Sequence, residues 1–173
     1  MCEVADRERI ERFMAELAAA AREPARVYLV GGTTAVLLGW RPTTVDIDLL
    51  IAPESDLLLR ALPILKERLH INVEVAFPAQ FIPIPPGWEE RSPFIRQIGP
   101  VSFYHYDLYA QALAKAERGH TRDLADVEAM LARGLIEPAK ARAYFARLEP
   151  DLYRFPAVDS DTFRREVDRL FPA

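Results

Sequence analysis

Apolar positions near the start of the chain recur at helical spacing. Ile10, Phe13, Met14, Leu17 and Ala21 fall on one stripe, which predicts an amphipathic helix ended by Pro24. Residues 26–30 then read as a short buried strand, since Val27, Leu29 and Val30 are apolar. Gly31-Gly32 breaks it, and Thr33 stands where a cap would open a short helix ending near Gly39. A second strand is expected over 45–51, with Val45, Ile47 and Leu49 facing the core. Pro53-Glu54-Ser55 opens a further helix with Leu57, Leu58, Ala61 and Leu65 on its apolar face, and Pro63 should kink or split it. Residues 71–77, "INVEVAF", alternate as a strand does: Ile71, Val73, Val75 and Phe77 point one way, Asn72 and Glu74 the other.

From residue 78 to 100 the chain is too rich in proline for a regular helix or a central strand. Its Phe81, Ile82, Ile84, Trp88 and Phe94 argue for a long packed loop. Residues 101–106, "VSFYHY", read as a last strand. Helical patterns then cover 107–118, 121–133, 137–148 and about 160–170, punctuated by Gly119 and Gly134. Strands and helices mix up to residue 106 and only helices follow, which predicts an α+β protein: a core over 1–106 and a helical C-terminal subdomain over 107–173 packed on it.

Composition narrows the function classes. The chain has 173 residues, half hydrophobic and 28% charged, enough for a buried core. A formal net charge of −4 excludes a uniformly basic nucleic-acid coat. Cys2 is the sole cysteine, so no internal disulfide forms, and acids are spread through the first twenty residues. These features lead us to expect a cytoplasmic protein with no membrane span.

The candidate chemistry lies in the second strand. Asp46 and Asp48 are two apart and project to the same side. Two carboxylates about 6 Å apart repel by about 3 kcal/mol at an effective dielectric of about 20. A raised pKa, a nearby arginine or a divalent cation would offset this. Oxygen ligands favour Mg²⁺ or Mn²⁺ among cations, and Mg²⁺ is commonly held by one or two carboxylates plus substrate phosphates. Upstream, Gly31-Gly32 at a strand-to-helix turn lets backbone approach a phosphate closely, and Thr33 and Thr34 add hydroxyls.

Gly-Gly, thirteen residues, then Asp-Ile-Asp between apolar residues resembles the signature of the nucleotidyltransferase superfamily with the polymerase-β-like fold. "GGTTAVLLGWRPTTVDIDLL" is most similar to the bacterial minimal and AbiEii-type toxin branches. The resemblance implies a small mixed sheet flanked by helices, with a helical C-terminal region. It implies nucleotide-binding roles for Gly31, Gly32, Thr33, Arg41 and Thr43, and Mg²⁺ or Mn²⁺ held by Asp46, Asp48 and a third carboxylate. Glu74, on the polar face of "INVEV", is the candidate for that third position. "KAERGHTRDLADV" resembles a helical segment of AbiEii-like proteins. The match implies a catalytic phosphate contact for Lys115 and nucleotide-binding roles for Arg118, Asp123 and Asp126. Thr121 is expected to cap the helix that carries Asp123 in its first turn.

The function so implied is transfer of a nucleoside monophosphate from a nucleoside triphosphate to a hydroxyl acceptor. A tRNA 3′ end or a protein is the acceptor in view, and a cognate antitoxin the partner of such a toxin. An inactive nucleotidyltransferase-like module that binds nucleotide or protein is the alternative. A metal-dependent phosphohydrolase is a weaker third reading, because its usual His/Asp ligand spacing is missing.

Overall fold

A computed structural model describes residues 1–173. The chain divides into two compact units, one of residues 1–76 and 92–106, the other of 77–91 and 107–173.

The first unit is built on a five-stranded mixed sheet. Its strands are β1 (Ala25–Val30), β2 (Asp46–Ile51), β3 (Asn72–Val75), β4 (Phe94–Ile98) and β5 (Val101–His105), in the order β3-β2-β1-β5-β4. β1 runs antiparallel to β2 and parallel to β5; β2 is parallel to β3 and β4 antiparallel to β5. Helices α1 (Arg7–Ala20), α2 (Gly32–Leu38) and α3 (Asp56–Leu69) belong to the same unit. Phe13, Met14 and Leu17 of α1 and Leu58, Leu62 and Leu65 of α3 form one buried cluster with Val27, Leu29, Ile47 and Leu49. Removing these side chains from water is the main force holding this layer together. Asp6 caps α1, its Oδ1 accepting from the Arg9 N–H at 2.9 Å.

The second unit is helical. It holds α4 (Trp88–Arg91), α5 (Leu108–Arg118), α6 (Thr121–Ala132), α7 (Pro138–Leu148) and α8 (Ser160–Leu170). Its buried side chains include Leu113, Val127, Met130, Phe145, Phe163 and Val167. A buried polar knot ties segment 77–91 into this unit. Arg91 Nε donates to Asp107 Oδ2 at 2.8 Å, and its Nη atoms donate to the carbonyls of Pro85 and Pro86. The Tyr144 hydroxyl donates to the same Asp107 oxygen at 3.0 Å, while Asp107 Oδ1 caps α5. Burial and the adjacent Asp107 carboxylate push the Tyr144 phenol well up from its ordinary pKa.

The mixed sheet flanked by helices is the α+β fold expected. Several local expectations are corrected. Val45 is 57% exposed and precedes β2, so it does not face the core. α3 runs unbroken through Pro63, whose ring lies on the exposed side. The proline-rich stretch is not one loop: it contains a 3₁₀ turn at Pro78–Gln80, α4 and the edge strand β4. Phe77 lies outside β3 and is exposed. No helix is long and apolar enough to cross a membrane.

Candidate active site

Alternation along β2 buries Ile47, Leu49 and Ile51 and leaves Asp46, Asp48 and Leu50 half-exposed on the other side. Parallel pairing places Asp46 opposite Asn72 of β3 and Asp48 opposite Glu74, and Asp48 also stands opposite Val30 of β1. The three predicted carboxylates therefore share one face of two neighbouring strands. Asn72 links two of them: its Nδ2 donates to Asp46 Oδ1 at 2.6 Å and to Glu74 Oε1 at 2.8 Å. Asn72 carries no charge to mark it in the sequence, although the alternation of residues 71–77 places it on the polar face of β3.

The turn after β1 lies against the same acids. Gly31 has φ +66°, a left-handed conformation that suits glycine, and a Cβ built there would stand 3.4 Å from Asp48 Oδ2. At Gly32 a Cβ would fall 2.2 Å from Thr44 Oγ1 and 3.4 Å from Arg41 Nη1. No side chain fits at Gly32 while Thr44 stays where it is. Arg41 thus flanks the turn, and Thr43 lies half-buried just before β2.

Two threonines fasten this turn from below. Thr33, expected to cap α2 and to offer its hydroxyl to a phosphate, lies within the helix and is fully buried. Its Oγ1 donates to the Asp46 carbonyl at 3.4 Å, because the tight turn directs the side chain inward under β2. Thr34 donates to the Leu29 carbonyl and meets His105 Nδ1, each at 3.1 Å. Burial pushes the His105 pKa down to about 4, so the ring is neutral near pH 7. Thr44 adds a third hydroxyl, donating to the Asp46 carbonyl at 3.0 Å.

The predicted residues of the C-terminal block belong to the helical unit and form a network of their own. Lys115 is 4% exposed; its Nζ donates to Asp126 Oδ2 at 2.7 Å and approaches Asp123 Oδ1 at 3.5 Å. Arg118 donates two hydrogen bonds to Asp123. Burial by itself raises the Asp123 carboxyl, but the hydrogen bonds and charges of Arg118 and Lys115 outweigh it and hold the group below its ordinary pKa. Lys115, expected at a phosphate, is thus engaged by carboxylates that join α5 to α6. The residue capping α6 is His120, with Thr121 already helical, and Asp123 lies in the first turn as expected.

The donor set suits a hard divalent cation in one respect and not in another. Asp46 and Asp48 present half-exposed carboxylates side by side next to a glycine turn, the arrangement that Mg²⁺ uses when phosphates complete its shell. No three His, Cys, Asp or Glu side chains converge into a closed cage, and Glu74 is drawn to the Asn72 amide.

A family model described as "Nucleotidyltransferase of unknown function (DUF6036)" matches residues 8–146, a span that includes every residue of both networks. Neither curated proteins nor solved structures gave a match.

Proposed function

The chain belongs to this family of nucleotidyltransferases of unknown function, and from that premise we propose a metal-dependent transfer of a nucleoside monophosphate to a hydroxyl acceptor. The observation that supports the proposal best is the Asp46–Asp48 pair on one strand face, with Asp48 beside the Gly31-Gly32 turn. Mg²⁺ or Mn²⁺ held by the two aspartates, with Glu74 as the candidate further ligand, would neutralise the triphosphate and the departing pyrophosphate. On this reading the backbone N–H groups of the glycine turn would receive phosphate oxygens, and Arg41 would supply positive charge at its rim. Thr33 and Thr44 brace the Asp46 backbone so that the carboxylate keeps its place. Glu74, opposite Asp48 on the neighbouring strand, is the group assigned to take the acceptor's proton. The acceptor oxygen bonds to the α-phosphorus, the bond to the β-phosphate oxygen breaks, and pyrophosphate leaves. Lys115 and Arg118, with Asp123 and Asp126, are assigned to holding α5 against α6.

Likeness to AbiEii-type proteins extends the proposal to a bacterial cytoplasmic toxin restrained by an antitoxin, with a tRNA 3′ end or a protein hydroxyl as acceptor. Each α-labelled nucleoside triphosphate, incubated with Mg²⁺ or Mn²⁺ and total cellular RNA and protein, identifies donor and acceptor together. Asp46→Asn and Asp48→Asn are each expected to lower transfer by about 10²-fold or more while circular dichroism is unchanged. Near-wild-type labelling by Asp46→Asn would overturn the assignment.

A second reading is an inactive nucleotide-binding module. The tie between Glu74 and Asn72 favours it, since that tie occupies the candidate base. It predicts nucleotide binding with no pyrophosphate release.

A further inference from the structure

We propose that Asn72 is a neutral placeholder between Asp46 and Glu74, whose amide competes with a divalent cation for both carboxylates and so keeps the metal affinity of the nucleotide-free protein low. The inference rests on the reading of Asp46 and Asp48 as cation ligands. It concerns a residue with no charge and no ligating role in that reading.

The geometry is specific. One nitrogen, Asn72 Nδ2, lies 2.6 Å from Asp46 Oδ1 and 2.8 Å from Glu74 Oε1. An amide NH₂ has two hydrogens, so each carboxylate takes one and both donors are used. The orientation is unambiguous: turning the amide over would aim its oxygen at two anions. Hydrogen bonds to ionised acceptors are the strong kind, and the register holds Asn72 directly opposite Asp46. The amide therefore offsets part of the repulsion between the acids that a cation would otherwise neutralise.

The two modes of relief exclude one another at these oxygens. Mg²⁺ requires oxygens at about 2.0–2.1 Å, closer than an amide nitrogen can stand. An ion that took both Asp46 Oδ1 and Glu74 Oε1 would have to displace the Asn72 amide from between them. Without nucleotide, an ion at Asp46 Oδ1 and Glu74 Oε1 takes oxygens that already accept hydrogen bonds from Asn72. With nucleotide, phosphate oxygens join the shell and the balance moves towards the ion. Asn72 thereby couples metal uptake to substrate.

The alternative is that Asn72 orients the carboxylates for the ion, as outer-shell partners commonly do. Losing such a partner typically weakens metal affinity about 10–100-fold. The two ideas predict opposite signs. Mn²⁺ affinity of the full chain, measured by electron paramagnetic resonance without nucleotide, separates them. On the placeholder reading, Asn72→Ala binds Mn²⁺ about tenfold tighter than wild type, and Asn72→Asp, which adds a charge, tighter again. Asn72→Ser, too short to span both acids, substitutes for the alanine variant should that one fail to fold. Unchanged or weaker Mn²⁺ binding by Asn72→Ala, or by Asn72→Ser in its place, overturns the inference, as does an absence of binding in every form. Asp46→Asn in the background of the tightest variant locates the ion. If that change leaves Mn²⁺ uptake intact, the assignment of Asp46 as a ligand fails, and the placeholder role with it. If it abolishes uptake while the Asn72 variants match wild type, only the role of Asn72 fails.

Discussion

Asp46 is fixed at both ends. Its carbonyl accepts from Thr33 and Thr44, and its carboxylate accepts from Asn72. Such bracing holds a side chain in one geometry without a bound ligand. His105 belongs to the same scaffold through Thr34, and its titration gives a prediction. The ordinary histidine pKa of 6.5 falls to about 4 in the folded chain, because burial disfavours the charged ring. Between those values the unfolded chain binds a proton that the native one does not. Stability is therefore complete above pH 6.5, declines as pH falls through the window and reaches its full loss, about 3 kcal/mol, below pH 4. Urea unfolding of wild type and His105→Gln at about pH 7 and about pH 4.5 is expected to show a smaller acid loss in the variant. Charge made the acid pair legible in the sequence, because two like charges in an apolar strand demand an explanation. Asn72 was not legible in that way: a single neutral amide carries no signature until strand register places it opposite Asp46. The inward turn of Thr33 was hidden for a related reason, since a hydroxyl after Gly-Gly reads equally well as a donor to a ligand or to the neighbouring strand.

Among the elements, α5 and α6 are joined by charge as well as by apolar contact. Lys115 and Asp126 meet at 2.7 Å with side chains only 5% and 2% exposed. Removing one member of such a pair leaves the other charged and buried, which costs about 3–5 kcal/mol. Lys115→Met is expected to lower unfolding free energy by that amount in urea, and Lys115→Met with Asp126→Leu to recover part of it. A phosphate-contact role for Lys115 predicts instead a loss of nucleotide affinity with little change in stability. The helices from α5 to α8 were legible nearly to the residue, since their apolar stripes and the glycines between them are local signals. β4 was not. Phe94–Ile98 lies between Pro93 and Pro100, and its place at the sheet edge tolerates the neighbouring prolines that argue against a central strand. α3 is not split at Pro63: the ring is on the exposed side, and packing of Leu58, Leu62 and Leu65 holds the turns on either side in one helix. Propensity is a weak prior beside such burial.

At the level of the whole chain, the second compact unit joins residues 77–91 to residues 107–173. Arg91 is the anchor of that segment, through Asp107 and Tyr144. A fragment of residues 1–106 lacks both partners. In limited proteolysis it is expected to be cut within 77–91 at least about tenfold faster than the full chain, with the strands more resistant. Equal resistance would show that the segment holds its structure without the helices. The same connectivity orders events during synthesis. The residues of the sheet unit have all left the ribosome once Tyr106 emerges, whereas Arg91 must wait for Tyr144, roughly forty codons later, before its docking site is complete. For that interval the nascent protein carries the acid pair and glycine turn complete, with one stretch of its middle still unclaimed.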